Sequence, residues 1–334
     1  MRNIMKSLFA LSFILLAGAL SSVQAQPLKA VATFSIVGDW VANVGGDKIE
    51  LVVLVGPDAD SHGYEPTPRD MLALAGADIV FENGLGFEAW LGALYDASAS
   101  RARRVVVTEG VDPIAAVESG AQNTEYDHEG HDRPGHDHDH NHEHHSHEQH
   151  AHEHDHGEFD PHTWHDVRNA VIAVELIRDA LAEADPANAA SYSANAASYL
   201  EELEALDAFV SLEASRLPEQ RRKLVTNHHS LGYFARAYGF EVIGTLLPLS
   251  TDVGEAAAGD MSALIDAIRA AGIPALFVEN VANSSLIERI AAEAGVTVAP
   301  SLYTDALGAP GSAGDTYLNM FRHNLAVITA ALSR

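Results

Sequence analysis

The stretch that decides the fold is Ala187 to Leu217, ANAASYSANAASYLEELEALDAFVSLEASRL. It holds neither glycine nor proline, and Tyr192, Tyr199, Leu203, Leu206 and Val210 form a near-heptad apolar seam. As one helix it would span about 45 Å at 1.5 Å per residue, enough to cross two ordinary domains. Such a helix is a stiff connector, unlike a Gly/Ser hinge. The chain is therefore expected to be two lobes joined by a backbone helix over 186–217.

Outward from it, both flanks alternate strands with helices. Before the connector, strands are expected at Leu28–Phe34, Ile49–Val55, Asp78–Glu82 and Arg104–Val107, with helices at Ile36–Val44 and Phe87–Tyr95. Ile49–Val55 is continuously apolar, as a strand buried on both faces would be. Thr67 with Asp70 forms a capping box, and Pro68 suits the first helical position. Asp166 can cap a helix over Val167–Ala184, which Asp185-Pro186 breaks. After the connector, strands are expected at Lys223–Thr226, Glu241–Leu246, Ala275–Val278 and Val296–Ala299. Helices are expected at Leu231–Tyr238, Glu255–Ala271, Ser285–Ala294 and Thr316–Leu332, with Gly239, Gly272 and Gly295 as stops. The fold class is α/β, with mainly parallel sheets flanked by helices in an N-terminal lobe, 26–185, and a C-terminal lobe, 218–334.

Residues 1–25 read as a secretory signal peptide: Arg2 and Lys6, an apolar run from Leu8 to Leu20, and small residues before a cut after Ala25. Cleavage takes the formal charge from −27 to −29, which argues against nucleic acid or an anionic membrane as partner and favours a cation. The chain has no cysteine, which excludes disulfides, zinc–thiolate sites and a lipid-bearing cysteine. A free periplasmic monomer is expected.

Thirteen of the 19 histidines fall between His128 and His156, mixed with Asp and Glu, inside a segment (125–158) too polar to form a core. It is expected to be a mobile loop that gathers metal loosely, since neutral imidazole is a preferred ligand of zinc, copper and nickel. Directly after it comes Asp160-Pro161-His162-Thr163-Trp164-His165-Asp166. In open parallel sheets ligands collect beyond the carboxyl ends of the strands, where His62, His228 and Asp305 fall. A lone His62 or His228 is more often a surface histidine than a ligand. What raises the odds is that each follows a strand in a different half, while His162 immediately precedes a helix.

Four segments, DSHGYEPTPRDMLALAGADIVFENGLGFEAWL (60–91), DPHTWHDVRNA (160–170), LVTNHHSLGYFARAYGF (224–240) and YLNMFRHNLAVI (317–328), together resemble the periplasmic zinc and manganese solute-binding subunits of ABC importers. The resemblance covers nearly the whole chain after residue 25. It implies two α/β lobes on a backbone helix and one metal in the cleft, held by His62, His162, His228 and Asp305. His165 and His229 depart from the family pattern and are alternative ligands; Glu279 would at most stand behind the site. Three imidazoles and one carboxylate suit tetrahedral Zn²⁺, whereas in the resembling manganese binders the third position tends to be a carboxylate. The implied function is capture of Zn²⁺ and delivery to an inner-membrane permease. A zinc buffer or metallochaperone without a transporter, or a manganese-binding homologue, is the alternative. A zinc hydrolase is disfavoured because no HExxH helix or nucleophile elbow is present and four protein ligands would fill the shell.

Overall fold

The computed structural model describes residues 26–116, 158–246, 258–282 and 284–333. The expected signal peptide, the histidine-rich segment up to residue 157 and the start of the helix expected from Glu255 lie outside the described residues.

The first half builds β1 (Leu28–Phe34), α1 (Ser35–Gly45), β2 (Ile49–Val55), α2 (Pro68–Gly76), β3 (Ile79–Glu82), α3 (Leu91–Ala97) and β4 (Arg103–Val106). All strand pairs are parallel, in the order β2-β1-β3-β4. β1 is central and buried from Ala30 onward. β2 departs from expectation: it is an edge strand, so only Leu54 and Val55 are buried and its first five residues remain partly or fully exposed. The helix expected at Phe87–Tyr95 begins only at Leu91. Gly84, Leu85 and Gly86 all take positive φ, and the Glu88 carboxylate accepts the Asn83 and Gly84 amides, which winds 84–90 into turns that bury Phe87.

The connector α5 runs from Ala189 to Ser215, 27 residues and about 40 Å long. Pro186 starts a short 3₁₀ turn ahead of it, which is why the helix begins later than the residue pattern suggests. Tyr192, Ala196, Tyr199, Leu203, Leu206, Val210 and Ala214 are buried along one seam. That seam packs on α4 (Val167–Ala184), on α1 and on the last helix, α9 (Tyr317–Leu332). Each large side chain on it contributes about 1.5–3 kcal/mol by leaving water. Asn195 Nδ2 donates to Val44 O, Tyr199 OH to Asp39, and Tyr238 OH to Asp207 on α5, so the helix is tied to both halves.

The second half contains β5 (Lys223–Thr226), α6 (Gly232–Tyr238), β6 (Glu241–Thr245), α7 (Ala258–Ala271), β7 (Ala275–Leu276), α8 (Ser285–Ala294) and β8 (Thr297–Val298), before α9. Parallel ladders β5-β6 and β7-β8 are linked by Phe277 N–H donating to Val225 O at 3.0 Å. β7 and β8 are shorter than expected because pairing turns irregular around Pro300, resuming at a Glu279–Leu302 bridge. That bridge brings Glu279 and Asp305 to the same end of the molecule. Among the described residues no helix is long and apolar enough to cross a membrane.

Candidate metal centre

Four loops meet at the carboxyl ends of the strands. The first follows β2. The Thr67–Asp70 capping box starts α2, and Trp90 Nε1 donates to Ser61 O at 2.9 Å. The His62 amide donates to Asp60 Oδ1, and the imidazole edge meets the Phe87 ring at a centroid distance of 4.8 Å. The second loop is Asp160-Pro161-His162. Asn83 Nδ2, just beyond β3, donates to Pro161 O at 2.9 Å, and the His162 amide donates to Asp160 Oδ1. Behind it, Asp166 caps α4 by accepting the Arg168 amide. The third loop follows β5, where the His228 amide donates to Glu279 Oε1 and Thr226 Oγ1 to His228 O. The fourth carries Asp305. Tyr303, at its start, is clamped between Gly308 and Gly314, where any Cβ would stand 2.5 Å or less from the ring.

The structure brings His62, His162, His228 and Asp305 together, with one potential ligand atom of each within 4.8 Å of all the others. His162 Nε2 lies 3.2 Å from His62 Nε2 and 3.3 Å from His228 Nε2. Asp305 Oδ2 is 2.9 Å from His228 Nε2 and 3.4 Å from His62 Nε2; its Oδ1 is 3.6 Å from His162 Nε2. His162, His228 and Asp305 are fully buried, and His62 nearly so at its side chain.

A carboxylate stands behind two of the rings, hydrogen-bonded to His162 and in close contact with His228. His162 Nδ1 is 2.7 Å from Asp160 Oδ1, and His228 Nδ1 is 2.7 Å from Glu279 Oε2. Both carboxylates are held below the usual carboxylate range: burial opposes this, but charge and hydrogen bonding from His162 and His228 override it. An ionised carboxylate only accepts, so a hydrogen on each Nδ1 faces it, and each Nε2 is the nitrogen left to present a lone pair to an ion once any proton on it has gone. Neither Asp305 oxygen has a hydrogen-bond partner of good geometry, as suits a carboxylate aimed at an ion.

Titration follows the same geometry. Burial lowers the pKa of His162 against the pull of Asp305 and Asp160. For His228 burial also acts downward, but Asp305 and Glu279 outweigh it and hold the imidazole well above its ordinary value. Burial would raise the pKa of Asp305, yet the His228 and His162 imidazoles keep it well below the carboxylate range.

His165 and His229 stand outside the group of four. His165 is buried against Trp164 and Phe321, and burial drives its pKa down to about 3. His229 Nδ1 lies 3.7 Å from Asp160 Oδ2. Trp164 and Tyr64 serve packing and hydrogen bonding, Trp164 Nε1 donating to Thr304 O and Tyr64 OH to Asp70. His323 meets Ser301 O and the Tyr303 ring at the surface. Residue reading missed Asp160 as the carboxylate behind His162. The available signal was its place two residues before a candidate ligand, since ligating histidines generally donate their other N–H to a carboxylate or carbonyl.

The sequence profile of the zinc-uptake complex component A (ZnuA), periplasmic, matches residues 30–331. The manganese-binding lipoprotein MntA of Halalkalibacterium halodurans is 32% identical over 314 residues, covering 94% of this chain and 91% of that protein. The zinc-binding protein TroA of Treponema pallidum is 33% identical over 309 residues, 91% and 88% respectively. The solved structure of TroA superposes with a TM-score of 0.75 at 31% identity, across 92% of this chain and all of that one. The iron-binding protein YfeA of Yersinia pestis is 30% identical over 307 residues, 92% and 86%. The chain belongs to the zinc-uptake component A family, the periplasmic metal-binding components of ABC importers.

Proposed function

We propose that the metal is Zn²⁺, bound by His62, His162 and His228 through Nε2 and by Asp305 through its carboxylate, and that the protein captures it in the periplasm as a monomer for delivery to an inner-membrane permease. The observation behind it is the donor set, three imidazoles and one carboxylate close enough to share a single ion. A tetrahedron with arms of about 2.0–2.1 Å has edges of about 3.3–3.4 Å, and Zn²⁺ prefers that shell with nitrogen-rich ligands. The four separations among the Nε2 atoms and Asp305 Oδ2 that lie at 2.9–3.4 Å stand near that edge, and the nitrogen-rich donor set favours Zn²⁺ over Mn²⁺. Manganese prefers more oxygen, although MntA, named as manganese-binding, is among the similar proteins. One carboxylate against a dication leaves a net charge of +1, offset by Asp160 and Glu279 behind the rings.

The histidine-rich segment leaves and returns through one stem: Ala116 N–H donates to Glu158 O and Asp160 N–H to Ile114 O. Its return strand runs straight into Asp160 and His162, which supports a role in gathering zinc close to the centre. The test is competition titration of Zn²⁺ against Mn²⁺, on the whole chain and on a chain lacking 127–157. One tight Zn²⁺ retained in both, with weak extra equivalents lost on deletion, supports the reading. Preference for Mn²⁺ in both would give the manganese-binding alternative.

A further inference from the structure

Thr304 stands beside Asp305 and is fully buried, yet it lies outside the four ligands. Its three polar groups reach two other segments of the site. Its carbonyl accepts the Trp164 indole N–H at 2.8 Å, two residues beyond His162. Its hydroxyl donates to Glu279 Oε2 at 2.8 Å, the same oxygen that lies 2.7 Å from His228 Nδ1. Its amide faces Asn280 Oδ1 at 3.3 Å, next to Glu279 in the chain.

We infer that Thr304 is a positioning residue that locks the loops of His162, His228 and Asp305 into one spacing, and so sets the site's preference for a small four-coordinate dication. The inference rests on the metal reading above. The physical reason is that imidazole direction sets N-to-N spacing. Ser230 Oγ stands 3.3 Å from Glu279 Oε2, longer than the Thr304 contact, so the Thr304 hydroxyl is the tighter constraint on that carboxylate. Without it Glu279 is held only by the His228 amide on Oε1 and the longer Ser230 contact on Oε2, so Oε2 can shift and the His228 ring with it. Without the Trp164 indole N–H, the His162 and Asp305 loops lose their direct tie. A looser centre admits longer metal–ligand distances and added water, which Mn²⁺ tolerates and tetrahedral Zn²⁺ does not.

The test uses the full chain, and beside it the chain lacking 127–157 to subtract metal held by the histidine-rich segment, with Co²⁺ as a spectroscopic probe and Zn²⁺ and Mn²⁺ as competing ions. The variants are Thr304→Val, which keeps the shape and removes the hydroxyl, Thr304→Ser, which restores it, and Trp164→Phe, which keeps an aromatic ring and removes the N–H. Thr304→Val should lower Zn²⁺ affinity about 10- to 100-fold, the range for lost partners behind a ligand, while Mn²⁺ affinity changes less. Its Co²⁺ visible absorption should weaken as coordination rises above four; Thr304→Ser should restore both. Trp164→Phe should move both readouts in the same direction, and it decides the matter if Thr304→Val does not fold. Wild-type protein taking one Co²⁺ while folded variants match it within twofold in affinity and in spectrum would overturn the inference alone. Wild-type protein taking no Co²⁺ would overturn the metal reading, and this inference with it.

Discussion

Asp58 offers a way to perturb metal release without touching a ligand. It sits after β2 at φ 54°, a left-handed conformation that Asp and Asn tolerate better than most residues. Its amide donates to Leu307 O at 2.8 Å, its Oδ1 accepts from Asn280 Nδ2 at 3.0 Å and its Oδ2 from the Ala309 amide at 3.0 Å. These bonds join the loop that carries His62 to the loop that carries Asp305. Because the ligands are buried and come from both sides, an ion leaves only when those loops part. Two side-chain bonds at about 0.5–1.5 kcal/mol each amount to about 1–3 kcal/mol, and surface exposure favours the lower half. Asp58→Gly removes both bonds and suits the backbone, so the open population should rise about 5- to 30-fold, at about 1.4 kcal/mol per decade. Asp58→Ala adds about 1–2 kcal/mol of left-handed strain and should release faster still. Asp58→Asn keeps one acceptor and should fall between wild type and Gly. Stopped-flow transfer of Zn²⁺ to an indicator chelator measures the rate, and the Co²⁺ spectrum checks that coordination is unchanged. Release from Asp58→Gly within twofold of wild type, with an unaltered spectrum, would show that these bonds do not hold the two loops closed over the ion.

Three further outcomes are expected. His228→Ala removes a ligand and leaves Glu279 without its imidazole partner, so Zn²⁺ affinity should drop by more than about a hundredfold in competition titration, beyond the usual cost of losing only an outer partner. His228 is held well above its ordinary pKa and His162 below, so the metal-free site carries a proton on His228 at neutral pH. Zn²⁺ binding should release about one proton, read as a dependence of the calorimetric heat on buffer ionisation, and affinity should fall as pH drops; no buffer dependence at pH 7 would count against it. The third concerns stability. Burial pushes Asp39 up to about 6, despite hydrogen bonds from Tyr199 OH and the Tyr317 amide. With a folded pKa above the unfolded value of 3.8, the folded state holds the proton more tightly. The contribution of Asp39 to stability is therefore greatest below about pH 4, falls between 4 and 6, and is flat above. Asp39→Asn should raise stability at pH 7 by up to about 3 kcal/mol and have little effect at pH 4, as measured by urea unfolding. An equal effect at both pH values would contradict the burial argument.

Residue patterns carried the architecture because its signals are local. The ends of β1, α4, β5 and α8 follow directly from apolar period, caps and glycine stops. The capping box at Thr67 and Asp70 was readable for the same reason. The misreadings were of features set by distant partners. β2 has the composition of a covered strand, yet strand order makes it an edge. The Phe87 region has helical composition, but the Glu88 carboxylate captures backbone amides and Gly84 to Gly86 turn left-handed. At the site, the four residues brought together are those the family resemblance named, although they are as far apart as 62 and 305 in the chain. Periodicity cannot give that convergence. Nor could it reveal that Thr304 ties the Asp305 loop to Trp164 and Glu279, which depends on the loops the β7-β8 end brings together; Asp160 behind His162 is a local contact that the two-residue spacing could have suggested.

The proposed centre is one dication shared by three imidazoles and one carboxylate. X-ray absorption on the chain lacking 127–157, loaded with a single equivalent of Zn²⁺, tests it without interference from the histidine-rich segment. The expected result is four nitrogen or oxygen neighbours at about 2.0–2.1 Å with scattering from three imidazole rings. One imidazole should disappear in His62→Ala. A shell of five or six oxygens, or a spectrum indifferent to His62→Ala, would contradict it.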